Sequence, residues 1–204
     1  MATSWMIDRL NAETRIHHAD ADLDLDALFR GDVTATHYLV FLIRTYGFEA
    51  PLESAVALTP RLEHVLEARV RARAGHLARD MMALSMRPHE VADLPLCTTI
   101  PQFRSMSEAL GWLYVVERMT LAHNVIRRHL MTRLPIEMET ASAYLSCYDG
   151  VVGKRWQELG SALDEVCSHP AIAERVVAAA GDAFRARRMW SSTDHRAWLA
   201  RTAC

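Results

Sequence analysis

The stretch Ser105-Met106-Ser107-Glu108-Ala109-Leu110-Gly111-Trp112-Leu113-Tyr114-Val115-Val116-Glu117 decides the fold class of this chain. Ser105 with Glu108 three residues on is a capping box, in which two side chains satisfy backbone N–H groups left open at a helix start. The apolar run behind it reads as a helix extending from Ser107 to Leu130 or beyond. The same pattern recurs outward in both directions. Upstream, Ile7, Leu10, Thr14, His17 or His18, and Ala21 share one face of a first helix, with Thr3 or Ser4 as its N-cap. Asp32 or Thr34 opens a second helix through Tyr38, Phe41, Leu42 and Thr45, with a stop expected at Gly47. Thr59 and Pro60 form an N-cap and N1 pair. They predict a long helix from Leu62 to about Leu84, bent near Gly75 and basic on its exposed side. Pro88, Pro95 and Pro101 mark Arg87 to Phe103 as irregular. Downstream, helices are expected over Glu139 to Val166, interrupted around Gly150 and Gly153, and over Pro170 to Trp190.

Composition agrees with this reading. The 204 residues suit one domain spanning 1–204, and 50% hydrophobic with 24% charged residues is the balance of a globular chain. Eight glycines and seven prolines are too few for the many tight turns of a β-sandwich, so the expected class is an all-α, single-domain helical bundle. A net charge of −2 leaves no electrostatic footprint for nucleic acid or an anionic membrane surface. No apolar run reaches the length of a signal peptide or a membrane span, and a cytoplasmic protein is expected. Cys97, Cys147, Cys167 and Cys204 are widely spaced without CxxC, which argues for reduced thiols and against a zinc or dithiol centre.

A helical bundle carries no function by itself, because bundles hold metals, cofactors or nothing between their helices. The first chemical candidate is Thr14-Arg15-Ile16-His17-His18 with Asp22, where Thr14, His18 and Asp22 stack on successive turns of one face. An imidazole presented from such a helix can bind a haem iron on one axial side. The spacing equally describes a surface or half-buried histidine. A di-iron carboxylate site is disfavoured, since no Glu-x-x-His occurs anywhere in the chain.

Several segments in order resemble the haem oxygenases, most closely the bacterial ones associated with phytochromes. Leu10-Asn11-Ala12-Glu13-Thr14-Arg15-Ile16-His17-His18 resembles the family's first helix, in which a Thr precedes the proximal iron-ligating His by four. Tyr38 to Leu42 and Tyr46-Gly47-Phe48-Glu49-Ala50-Pro51-Leu52-Glu53 are similar to its second helix and the turn after it. Leu77-Ala78-Arg79-Asp80-Met81 is similar to a Leu-x-x-Asp-Leu segment. Ala109 to Glu117 resembles the run into the distal helix, and Gly153-Lys154-Arg155-Trp156 resembles Gly-Arg-Arg-Trp. The resemblance implies haem held between a proximal helix carrying His18 and a distal helix, with cleavage to biliverdin, carbon monoxide and ferrous iron. It further implies an external electron donor such as a ferredoxin or reductase, and a phytochrome as possible recipient of the bilin. Thr14, His18 and Met119 would contact the haem, and Lys154 and Arg155 would meet its propionates. His17 takes the place of His18 if the register slips.

The family's distal helix carries a pattern like Glu-Gly-Ser-Thr-Leu-Gly-Gly, whose glycines let the backbone approach the porphyrin. Here the stretch reads Glu117-Arg118-Met119-Thr120-Leu121-Ala122-His123, and there is no glycine from Trp112 to Tyr148. Arg118, Ala122 and His123 stand at the glycine positions, on the catalytic side of the site. Weak or absent turnover is therefore expected, with any bound haem six-coordinate or sterically restricted. His123 has three readings: a distal iron ligand, a donor to bound oxygen, or a polar residue filling disused space. Two other functions remain open, a non-catalytic haem- or bilin-binding protein and a cofactor-free regulatory or interaction module.

Overall fold

The computed structural model describes residues 4–193, and among them every regular element is helical. In chain order these are α1 (Trp5–Glu13), α2 (Arg15–Phe29), α3 (Ala35–Ala57), α4 (Ala74–Ala83), α5 (Pro88–Ala92), α6 (Met106–Thr120), α7 (His123–Arg133), α8 (Pro135–Thr140), α9 (Ala143–Ser146), α10 (Val152–Val166) and α11 (Pro170–Ser191). The capping side chains explain several starts. Ser4 Oγ accepts the Ile7 N–H, and its own hydroxyl donates to Asp164, which ties α1 to α10. Thr34 accepts the His37 N–H, while the His37 ring accepts the Thr34 N–H. Ser105 accepts the Glu108 N–H as expected, but the Glu108 carboxylate takes the N–H of Arg104, one residue upstream of the N-cap.

The helix announced by that cap, α6, is the centre of the bundle. Its Ala109, Leu110 and Tyr114 are fully buried, and a leucine buried in this way contributes about 1.5–3 kcal/mol of hydrophobic stabilisation. α11 lies along α6, and Gly111 permits their close approach. A Cβ there would stand 2.6 Å from the Val176 carbonyl oxygen and 2.7 Å from Ala179 Cβ. α1 and α6 both pack on α10, α2 rests on α11, α3 and α7, and α4 fits between α3 and α9. The core divides into two apolar clusters. One holds Leu10, Leu52, Leu110, Tyr114, Leu159 and Phe184, and the other Leu42, Met81, Met119, Ile126, Leu130 and Tyr144.

Four expectations need correction. The first helix breaks at Thr14, whose hydroxyl donates to the Leu10 carbonyl while the His17 N–H bonds back three residues to the Thr14 carbonyl. The second does not stop at Gly47 but runs to Ala57, with Pro51 inside it. A glycine stands inside the helix at this point because a Cβ would collide with the Trp190 indole and the Pro95 carbonyl oxygen. No long helix spans Leu62 to Leu84. Two short 3-10 turns, Leu62–His64 and Arg69–Arg71, precede α4, and Gly75 lies in its first turn. That segment stays open because Arg71 and Arg73 turn inward, 3% and 2% exposed, so the supposed basic face is partly core. Finally, the helix from Ser107 to Leu130 is split into α6 and α7. Leu121 and Ala122 make N–H bonds to carbonyls three residues back, at 3.2 and 3.1 Å, a tight winding that redirects the chain. Downstream, the segment from Glu139 breaks first between α8 and α9 and again, as expected, at Gly150, in a left-handed conformation (φ +75°) just before α10, while the stretch from Arg87 to Phe103, expected to be irregular, holds the short α5. Thr3 and Cys204 lie outside the described residues.

Candidate functional site

Thr14, buried at the α1–α2 break, positions the first candidate ligand. Its single hydroxyl proton goes to the Leu10 carbonyl at 2.7 Å, so in its 3.1 Å contact with His18 Nε2 the Thr14 oxygen accepts. That arrangement puts a ring proton on Nε2. His17 and His18 are both half-buried and both meet Phe184 of α11, with ring centroids 5.5 and 5.7 Å away. The Thr14 contact is what distinguishes His18. The side chain of Asp22, the third member of the predicted stack, lies outside the described residues.

Across from α2, Tyr114 of α6 donates to Asn11 Oδ1 at 2.7 Å and sets its ring edge-on to Phe184. Arg118 follows one turn later on the same side of α6, half-buried, close enough for its charge to favour the Tyr114 phenolate against the larger opposing effect of burial. Met119 belongs to the second apolar cluster, and half-buried Ala122 packs against that cluster at the helix break.

His123 is 3% exposed, with its ring 4.6 Å from that of Tyr144 and no hydrogen-bond partner for Nδ1. Burial, helped by the Arg73 and Arg187 charges, pushes its pKa down to about 3, so it is a neutral imidazole at neutral pH. Arg187 sits one turn along α11 from Phe184. His18 and His123 therefore approach the same helix, one by contact with Phe184 and the other through the charge of Arg187.

Lys154 and Arg155 open α10 and pair with Glu158 at 3.8 and 3.0 Å. Glu158 also receives Arg71, which donates in addition to the Arg155 carbonyl oxygen. These cations thus border a polar network that the sequence reading did not foresee. Within it Glu117 accepts from Arg71 and Arg73, both at 2.8 Å, and from the Tyr148 hydroxyl at 2.9 Å. Glu49 accepts from Arg73 at 3.0 Å and from the Tyr144 hydroxyl at 2.8 Å. All four charged groups are at most 3% exposed, and they lie between the two apolar clusters. The signal was present: Glu49 and Glu117 interrupt strongly apolar helices, and a carboxylate buried there requires a cation.

Among the described residues no group of three or more His, Cys, Asp and Glu side chains could hold a metal ion, and no helix is long and apolar enough to cross a membrane. The structure is similar to the haem oxygenase of Neisseria meningitidis, solved with NO and CO bound, with a TM-score of 0.72 at 19% identity, covering 98% of this chain and 94% of that one. At that identity the likeness shows the fold. No curated protein is significantly similar in sequence. The haem oxygenase family model, however, matches residues 5–193, nearly the whole chain, through the Thr14–His18 helix, the α6–α7 break and α11. The chain belongs to the haem oxygenase family.

Proposed function

We propose that this chain binds haem between α2 and the α6–α7 break and degrades it slowly, through a site narrowed on its distal side. The observation that carries the reading is His18, a half-buried imidazole whose orientation is set by a buried hydroxyl. One imidazole beside the Phe184 and Tyr114 rings is a donor that suits iron ligation, and the residues fit the group. Haem bound there supplies the iron and the meso carbon whose oxygenation yields biliverdin, carbon monoxide and ferrous iron. His18 would be the iron ligand, by Nε2 once Thr14 releases it or by Nδ1. Phe184 and Tyr114 exclude water. Lys154 and Arg155 hold the propionates when they exchange Glu158 for them. Arg118 occupies the face that a glycine would leave bare, while Ala122 adds only a methyl group. Met119 backs the distal wall from the second cluster. In the cytoplasm, a ferredoxin or reductase would supply electrons and a phytochrome would take up the bilin.

A second reading has its own support. His123 is neutral, and its Nδ1 lacks a partner. If haem binding draws this ring from under Tyr144, it closes the sixth position and the protein is a non-catalytic haem- or bilin-binding protein.

Titration of the purified protein with hemin tests both. A histidine-shifted Soret band lost in His18→Ala and largely kept in His17→Ala is expected, and the reverse would move the ligand to His17. Ascorbate under air should bleach the band slowly toward a bilin absorbance, faster in the double variant Arg118→Gly, His123→Gly. Turnover of the unaltered protein that the double variant does not exceed would overturn the distal restriction.

A further inference from the structure

The open segment between α3 and α4 leaves a groove of about 1000 Å³ against α3 and α6. Its floor is aliphatic, built from Leu52 and Val56 of α3, Leu62 and Leu66 of the segment, and Leu113 and Val116 of α6. Tyr114 and Arg118 point to the other side of α6, since a helix turns about 100° per residue, so this groove is separate from the His18 region. One wall carries Glu53. A single oxygen of that carboxylate, Oε1, accepts the N–H groups of Arg73 and Ala74 and so caps the start of α4. The other, Oε2, accepts no hydrogen bond among the described residues. The two guanidinium groups nearby are already engaged, Arg71 by Glu117 and Glu158 and Arg73 by Glu49 and Glu117. Glu53 is therefore the charge left over in the wall. Burial, with the Glu49 charge beside it, pushes its pKa up to about 6, as expected of an anion short of a partner. At the rim, Glu63 and Glu67 outnumber Arg69.

We propose that this groove is a second ligand site, selective for a protonated amine carried on an aliphatic or aromatic body. The ammonium donates to Glu53 Oε2, and the body lies over Leu62, Leu66 and Val116. A groove of this size takes a ligand as large as a typical cofactor or drug. A neutral ligand would leave Glu53 unanswered, and an anion would be repelled by it.

The site does not depend on haem, and its test uses none. The full chain at about pH 8 is titrated with 2-phenylethylamine and, separately, with 2-phenylethanol, following methyl NMR signals of Leu62, Leu66 and Leu113. Saturable shifts are expected for the amine, with affinity at least about tenfold above that of the alcohol. Glu53→Gln keeps an oxygen to cap α4 but removes the charge, and should bring the amine down to the level of the alcohol. Leu66→Trp fills the groove and should abolish both, while His18→Ala should change neither. Equal affinity for amine and alcohol, amine binding unaltered in Glu53→Gln, or no methyl shifts at about 10 mM amine would overturn the proposal.

Discussion

Two polar regions lie inside this bundle, and they are built on opposite terms. Around Glu117 each charged group has an opposite charge: two arginines, two glutamates and two tyrosine hydroxyls close on one another in the seam between the apolar clusters, with the buried Arg71 Nε left without a hydrogen bond. Around α2 and the α6–α7 break, the imidazole of His18 is half-buried and that of His123 keeps an unmatched nitrogen. The first arrangement holds α3, α4 and α6 in register. The second leaves the buried His123 Nδ1 without a partner, which a ligand can answer. The difference indicates that variants in the network will be lost as folds, whereas variants at the histidines will be lost as ligand sites.

The strongest way to break that contrast is Glu117→Gln. It leaves Arg71 with Glu158 alone and Arg73 with Glu49 alone in the interior, and removing one partner of a buried pair costs about 3–5 kcal/mol. Urea unfolding should show that loss, or an unfolded chain, and a decrease under about 1 kcal/mol would mean that the network is not what holds the fold.

A second effect appears with pH. His123 is held neutral down to about pH 3 in the folded state, whereas an unfolded histidine gains its proton near 6.5. Above that value it contributes nothing to the pH dependence, and stability falls as pH drops below it because only the unfolded chain takes up the proton. By about pH 5 the loss is about 2 kcal/mol, and it should be absent in His123→Phe, which keeps a ring against Tyr144. Unfolding curves at the two pH values measure it.

Glu53 is the intermediate case, with its backbone cap satisfied and its charge unmatched. Its folded pKa of about 6 exceeds the ordinary carboxyl value of 4.5, so the folded state prefers the proton and stability falls as pH rises through that window. Glu53→Gln should accordingly be more stable than the parent at about pH 8, by up to about 2 kcal/mol, with the difference closing toward about pH 4.5. A variant less stable at every pH would place Glu53 with the fully answered charges.

How much of this was legible beforehand depended on whether the information was local. The caps at Ser4, Thr34 and Ser105 and the start of α11 at Pro170 were readable, since each rests on residues within one turn. The Thr14–His18 pairing was readable for the same reason. Gly47 was misread as a stop because its cause is Trp190, far along the chain. The segment from Leu62 to Arg73 looked helical because amphipathic spacing does not reveal that two arginines will be drawn to carboxylates on α3 and α6. Likewise the split at Leu121–Ala122 carries neither glycine nor proline to announce it. The half-burial of Arg118 and the tucking of His123 under Tyr144 are tertiary outcomes that the local sequence does not encode.

The pairing of α6 with α11 also bears on how the chain comes into being. Forty-nine residues lie between the end of α6 and the start of α11. At about 5–20 residues per second, a ribosome needs several seconds to deliver the partner after α6 is made. Throughout that interval the Gly111 side of α6 lacks the surface it is shaped for. The nascent protein must shelter an apolar helix until α11 emerges.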